Sequence, residues 1–155
     1  MKPSIISSLL LLLLTGCVTH RDVSHNSRFA TDYVVGATYR VQRTLVVRNH
    51  SNGYDLVLWP PDDGLPLQEV IKRNQTPGSD FVDFLPAGTL LVVSKLDLYN
   101  SLESRIVWVW GRCVDGPFKD KRVLLSFVSK NAVSTNVMAS VSYVDTNMLQ
   151  IVNKP

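Results

Sequence analysis

Two tryptophans in one strand-like segment are the residues best suited to holding a ligand. Arg105 to Val114 is the strongest strand-like run, and Trp108 and Trp110 lie two positions apart within it. Since side chains alternate between the faces of a strand, both indoles project from one face, about 7 Å apart. With Arg105 and Arg112 beside them, they predict a platform on which a sugar or peptide stacks while guanidinium groups bind its carboxylates.

A structural interpretation of the same residues competes with this one. A small β-barrel is filled by large inward side chains, which favours the core as the place of Trp108 and Trp110. Tyr99 is close in sequence and extends the aromatic set under either interpretation. Trp59, followed by Pro60-Pro61, is a second candidate, either as an exposed recognition loop or as a tryptophan that closes a strand end.

Residues for acid–base or nucleophilic catalysis are sparse. The histidines are His20, His25 and His50. We expect the first two in an N-terminal tether and the third in a hairpin turn, where no rigid element holds a general base. They are therefore interpreted as solvated loop residues, no catalytic residue is assigned, and the chain is expected not to be an enzyme.

Cys113 and the carboxylates likewise give no indication of a catalytic or metal site. A strand position between Arg112 and Val114 favours a buried structural cysteine over a nucleophile or redox thiol. No Cys-x-x-Cys or His-x-x-x-His spacing occurs, so neither a metal nor a cofactor is predicted. The pair Asp62-Asp63, beside prolines and a glycine, is typical of turn chemistry rather than of an acid–base pair or a calcium loop.

The N-terminus has the order of an export signal. Met1-Lys2-Pro3 supplies one positive charge, Ile5 to Leu14 is apolar, and Thr15-Gly16-Cys17 follows. The apolar run is too short for a permanent membrane span, which takes roughly 20 residues. Leu14-Thr15-Gly16-Cys17 resembles the lipobox of bacterial lipoproteins at every position.

That resemblance implies a lipid anchor and a location. Cys17 would receive a diacylglyceryl group through its thiol, the preceding peptide would be removed, and the new amino terminus would be acylated, with palmitate as a typical chain. Several acyl chains make a stable anchor. Val18 in place of Asp after the cysteine implies the outer membrane, facing the periplasm of the cell envelope.

The remaining chain has the size of one domain. We divide the sequence into a signal peptide (1–16), a lipidated tether (17–36), a β-barrel-like domain (37–128) and a C-terminal extension (129–155) with one or two strands. The chain carries 16 Lys and Arg against 13 Asp and Glu, which is not the footprint of a nucleic-acid-binding protein.

Short strands separated by turn residues predict a mainly β fold with little helix. Even spacing places Tyr39, Val41, Leu45 and Val47 on one face of the first strand-like run, 38–48. Turns such as Asn49 to Gly53 and Asp115-Gly116-Pro117 separate it from further runs. These runs are 54–59, 81–85, 89–99, 105–114 and 121–128, with weaker signals at 140–144 and 148–152. One or two turns of helix are predicted at 67–73.

Two short motifs resemble bacterial SH3-like barrels. Leu85-Pro86-Ala87-Gly88-Thr89-Leu90 is similar to their turn-and-strand phrase. Trp110-Gly111-Arg112, Asp115-Gly116-Pro117 and Lys121-Arg122-Val123 are together similar to their later hairpin. The resemblance covers roughly 39–127 and implies a small antiparallel SH3-like barrel or sandwich. The insertion at 60–84 departs from the pattern, so no ligand groove is carried over from the family.

The sequence thus favours a membrane-anchored, non-catalytic module that binds a protein or peptidoglycan in the envelope. One alternative is a structural subunit of an envelope assembly, with the tail 131–155 donated as a strand to a partner. Another is an envelope hydrolase without a familiar motif, with a site built from Asp, Lys, Tyr or Ser.

Overall fold

The structure is a computed structural model that describes residues 18–29, 31–51, 53, 55–61, 69, 72, 80–134 and 138–155. Strands account for 53% of the described residues. The described residues form a single sheet that curls into a half-barrel, which confirms the mainly β fold class. Its strands are β1 (Thr19–Asp22), β2 (Thr38–Val41), β3 (Leu45–Asn49), β4 (Leu56–Trp59), β5 (Phe81–Leu85), β6 (Leu90–Asn100), β7 (Arg105–Cys113), β8 (Arg122–Leu124), β9 (Ser129–Ser134), β10 (Ala139–Val144) and β11 (Leu149–Asn153).

The hairpin of β6 and β7 is the spine of the sheet. The two strands pair antiparallel from Leu91 and Cys113 at one end to Asn100 and Arg105 at the other. β2 and β1 pair with successive parts of the free edge of β6. β8 and β10 pair with successive parts of the free edge of β7. Each edge of the central hairpin therefore carries two strands. The pairings of β4 with β8 and of β7 with β10 are parallel, and the other ladders in the described chain are antiparallel.

The main core lies on the inner face of the curled sheet. Tyr39, Val41, Leu45 and Val47 are all buried in it, as their even spacing predicts. From β7 the same core receives Val107, Val109 and Cys113, again at every second position. Since faces alternate along a strand, Trp108 and Trp110 are left on the outer face.

The segment 17–36 differs from the solvated tether expected for it. Residues 19–22 form β1 and pair with the edge of β6. Val23, Phe29 and Tyr33 are buried in the main core. The polar composition gives little indication that the segment belongs to the domain. It contributes only a few widely spaced apolar side chains and one strand. The domain therefore begins close to Thr19 rather than at residue 37.

The C-terminal segment 129–155 also belongs to the same sheet. It forms three strands among the described residues, whereas one or two were predicted. β10 pairs with β7 and β9, and β11 pairs with β2. The strands of the tail are therefore paired within their own sheet in this structure, and the donation of a strand to a partner stays a prediction.

Several sequence predictions concern residues that the structure does not describe. The signal 1–16, Cys17 and Asp62-Asp63 lie outside the described residues, as do all but Glu69 and Lys72 of the predicted helical turns. Among the described residues, no helix has both the length and the apolarity needed to span a membrane. The turn at Pro86 to Thr89 joins β5 to β6 as predicted, with Gly88 at a φ of 90°.

Candidate functional site

A groove on the outer face of the sheet collects the aromatic residues of β6 and β7. Its volume is about 570 Å³. On the two strands, Asp97 lies opposite Trp108, and Lys95 lies opposite Trp110. The groove is lined by His20, His50, Ser51, Asp55, Asp97, Tyr99, Trp108, Trp110 and Arg122.

A β-bulge in β6 gives the groove its polar wall. Val93 pairs with Gly111, but the next paired residue of β6 is Lys95, opposite Trp110, so Ser94 is the extra residue. The bulge changes which residues of β6 face inward: Leu91 and Val93 before it, Leu96 and Leu98 after it. Asp97 and Tyr99 are thereby turned to the outer face, where they meet the tryptophans.

Trp108 is at the centre of a cluster of aromatic rings. Tyr99 stacks on it at a centroid distance of 4.7 Å and an interplanar angle of 11°. Trp110 meets it edge-on at 5.9 Å. The imidazoles of His20 and His50 approach it at 5.5 and 5.6 Å. Because Trp108 is only half-buried, part of this cluster remains open to a ligand.

Trp110 has features of both a core residue and a ligand-binding residue, the two roles considered from the sequence. Its side chain is 3% exposed and packs in a small outer cluster with Val57 and Leu124, separate from the main core. The guanidinium of Arg122 lies 4.0 Å from its ring centroid, in cation–π geometry. Among the described residues, its buried Nε1 finds no hydrogen-bond acceptor. Trp110 is therefore a packed residue that also forms the floor of the groove.

The structure agrees in part with the expectation of solvated loop positions: His20 is 47% exposed but lies on a strand, His50 lies in the predicted turn but is only half-exposed, and His25 is exposed as expected. His20 lies on β1 opposite Tyr99, and its Nδ1 is 3.0 Å from Oδ2 of Asp97. The ring of His50 contacts both tryptophans from the β3–β4 turn. His25 is exposed in a turn. The strand that carries His20 has no apolar alternation, and its pairing with β6 leaves no signal in the sequence.

The two carboxylates of the groove are each held beside a cation. The side chain of Asp97 is 5% exposed, and Lys95 Nζ lies 2.9 Å from its Oδ1 in an ion pair. The side chain of Asp55 is 13% exposed, and its Oδ1 is 3.7 Å from Nε of Arg122. Burial of these charges is tolerated because the partners offset part of the desolvation cost.

The other predicted ligand-binding residues lie outside the groove. Arg105 is three positions before Trp108, so strand alternation turns it to the opposite face, where it lines a separate depression with Arg21 and Arg28. Arg112 shares the face of Trp110 and lies opposite Arg122, but it does not line the groove. The structure thus brings together Trp108 and Trp110 and leaves both neighbouring arginines apart from them.

Trp59 forms a separate aromatic pair. Its ring stacks on that of Phe127 at 4.3 Å and an angle of 19°. The guanidinium of Arg48 is 5.5 Å from its centroid. Both aromatic side chains remain exposed, Trp59 at 37% and Phe127 at 45%. The pair closes the end of β4 against the 3₁₀ turn Ser126–Val128.

Cys113 has the surroundings of a structural residue. It is fully buried in the main core at the end of β7. Desolvation, and secondarily the charge of Asp115, raise the pKa of its thiol to about 12. A thiol held neutral in this way is a poor nucleophile. Within the described ranges, no group of three or more His, Cys, Asp or Glu residues is arranged to hold a metal.

Comparison with known proteins gives no relative from which a function is transferred. No family model matches the chain, and neither a curated protein nor a solved structure is detectably similar to it. The function is therefore argued from the groove and from the N-terminal motif.

Proposed function

We propose that the chain is a lipid-anchored protein of the bacterial cell envelope that acts as a non-catalytic binding module. The observation that carries the binding role is the outer-face groove, in which Trp108 lies among Tyr99, Trp110 and two imidazoles. Aromatic rings exposed beside a few placed charged groups are a usual composition of ligand-binding sites. The anchor is supported by the lipobox resemblance at Cys17.

The chemistry of the groove favours peptidoglycan over a protein as the ligand. Half-buried rings such as Trp108 offer apolar faces for stacking against sugar rings. Arg122, with its guanidinium above Trp110, supplies a cation for the carboxylates of stem peptides. The imidazole of His20, which is held by Asp97 through Nδ1, adds a hydrogen-bonding group for hydroxyls. An envelope location provides this polymer in quantity.

The same geometry supports a role without catalysis. Asp97 and Asp55 are each held beside a cation, which gives them the role of fixed counter-charges to Lys95 and Arg122. The SH3-like resemblance remains a prediction and adds no catalytic residue.

A hydrolase is the second candidate, because one observation favours it. Asp97 orients His20 much as a buried carboxylate orients a general base in a catalytic triad, and Ser51 lines the same groove. The structural-subunit alternative is favoured by a different feature, the exposed stack of Trp59 and Phe127.

Pelleting with purified peptidoglycan tests the binding role. Native protein from membranes is incubated with insoluble peptidoglycan, centrifuged and compared with a Trp108→Ala variant. Trp59→Ala is the matched control, because it makes the same chemical change outside the groove. We expect the native protein and the control to pellet and the Trp108 variant to stay in the supernatant.

The same samples separate the alternatives. Soluble sugar–peptide fragments that appear with native protein and not with His20→Ala would favour the hydrolase. If no protein pellets, affinity capture from envelope extract is the second arm. A partner lost from Trp108→Ala would then indicate a protein ligand, and one lost only from Trp59→Ala would indicate the structural subunit. Equal pelleting of the native protein and Trp108→Ala would contradict the groove as the site.

The anchor is tested on the protein itself. The intact mass of membrane-extracted protein should correspond to a chain beginning at Cys17 with attached acyl chains, and Cys17→Ser should abolish that mass. A chain that retains Met1 to Gly16 and carries no lipid would contradict the lipobox interpretation.

A further inference from the structure

One end of the half-barrel combines exposed apolar side chains with arginines. β1 begins at this end, β6 ends there, and β7 and β10 begin there, as their registers show. Val18, Leu102 and Met138 project from it with exposed fractions of 52%, 83% and 78%. We call these residues, together with the neighbouring arginines described next, the basic end.

The arginines of the basic end surround a depression. Arg21 on β1, Arg28 in the 3₁₀ turn Ser27–Phe29 and Arg105 at the start of β7 line it, over a volume of about 410 Å³. All three side chains are exposed. Leu98 and Phe29 give it an apolar wall. Glu103, beside Leu102, is an acidic neighbour, so three guanidinium groups outweigh one carboxylate in this set.

The position of the predicted anchor gives this end an orientation. Because β1 starts at Thr19, only two residue steps separate Cys17 from the sheet, a reach of about 7 Å at full extension. A tether spanning 17–36 would have allowed the domain to stand far from the bilayer. With β1 in the sheet, acyl chains on Cys17 would hold the basic end against the lipid headgroups.

We propose that the basic end docks on the surface of an anionic phospholipid bilayer. The arginines pair with headgroup phosphates, and Val18, Leu102 and Met138 enter the interface between headgroups and acyl chains. Juxtamembrane arginines and exposed apolar side chains are the two elements that interfacial docking requires. The inference rests on the proposed anchor, but it does not depend on which ligand occupies the groove.

Docking is measured on the full, membrane-extracted protein reconstituted in vesicles, with a fluorescent probe on an introduced cysteine. Leu102→Cys is labelled with an environment-sensitive dye, since the thiol of Cys113 is buried and that of Cys17 is expected to carry lipid. Val152→Cys is the control. Val152 is 47% exposed on β11, which pairs with β2, and β2 pairs with the opposite end of β6 at Leu90–Val92. The vesicles consist of phosphatidylcholine with or without phosphatidylglycerol, plus a nitroxide-labelled lipid as quencher.

We expect a blue shift and quenching of the probe at position 102 in anionic vesicles, reversed by salt, and neither effect at position 152. Arg21→Gln combined with Arg28→Gln should lower the ratio of docked to undocked protein about 25-fold, at about fivefold per arginine. Equal quenching of the two probes, or quenching at position 102 that ignores lipid charge, would overturn the proposal. If the intact mass shows no lipid on Cys17, the anchor is wrong, and flotation of the protein with anionic vesicles then decides docking independently.

Discussion

The imidazole of His20 and the carboxylate of Asp97 connect the first strand to the middle of β6, with 3.0 Å between Nδ1 and Oδ2. The residues are 77 positions apart and lie on adjacent strands. Asp97 also pairs with Lys95 and is almost fully buried. This contact fixes the ring of His20 against Tyr99 and Trp108, at 5.3 and 5.5 Å. One buried carboxylate thus organises one side of the groove.

The first prediction concerns that carboxylate. Asp97→Ala removes the acceptor of His20 and leaves Lys95 without its buried counter-charge. We expect the free energy of unfolding to fall by about 1.5–3 kcal/mol, the usual range for a hydrogen bond to a charged group. Urea denaturation measures this change. Peptidoglycan binding should weaken as well, because His20 is no longer oriented.

Asp83→Ala is the control for this substitution. Asp83 is exposed on β5, and its carboxylate contacts only the amide of the following residue among the hydrogen bonds described. Its removal should change the free energy of unfolding by no more than about 0.5 kcal/mol. Equal stabilities of the Asp97 and Asp83 variants would contradict an organising role for Asp97.

The second prediction separates the two groove tryptophans. Trp110→Ala empties a site that is 3% exposed, so it should lower the free energy of unfolding by about 3–5 kcal/mol. Trp108 is half-buried, and Trp108→Ala should cost clearly less stability while abolishing ligand binding. Thermal denaturation and peptidoglycan pelleting of the same samples measure both effects. A Trp108 variant as unstable as the Trp110 variant would favour the core interpretation for both.

Most of the strands followed from sequence because their apolar residues alternate or run in short blocks. β5 matched its predicted bounds, and β6 and β7 matched within one residue at each end. β1 escaped prediction because Thr19-His20-Arg21-Asp22 is polar throughout and is ordered only by the edge of β6. Pairing between distant strands is a tertiary effect that local pattern does not encode.

For the same reason, the residues of the groove could be predicted only in part from the sequence. The alternation of β7 correctly put Trp108 and Trp110 on one face, but it also excludes Arg105, which sequence proximity had suggested. The bulge at Ser94 decides that Asp97 and Tyr99 face outward, and a bulge has no reliable sequence signal here. Arg122 and His50 come from other strands and turns, so only the folded sheet brings them to Trp110.

The third prediction concerns the close packing beneath the groove. A Cβ at Gly111 would lie 3.2 Å from Cδ1 of Leu125 and 3.2 Å from the carbonyl oxygen of Val92. Gly111→Ala should therefore lower the free energy of unfolding by about 1–3 kcal/mol through overpacking. Leu125→Val, combined with Gly111→Ala, should recover part of this loss by making room on one side. Urea denaturation of the single and double variants tests the coupling, and strictly additive losses would contradict it.

The fourth prediction is a loss of stability at alkaline pH that depends on Cys113. The pKa of its thiol rises from 9.0 in the unfolded chain to about 12 in the fold. Below pH 9 both states hold the proton and the stability is unaffected. Between pH 9 and 12 the unfolded chain releases the proton while the folded protein retains it, so stability falls, with a limiting slope of about 1.4 kcal/mol per pH unit.

Burial likewise raises the pKa of Tyr33 and Tyr39 above their ordinary value of 10.0, so these phenols add to the loss only at higher pH. These phenols are present in the native protein and in Cys113→Ala alike, so the difference between the two proteins from pH 9 to 10 reports on the thiol. Cys113→Ala should start from a lower stability because of the cavity it leaves, yet show a flatter decline across that interval. Urea denaturation at several pH values gives both curves. Parallel curves for the two proteins would mean that the thiol of Cys113 titrates alike in the folded and unfolded chain.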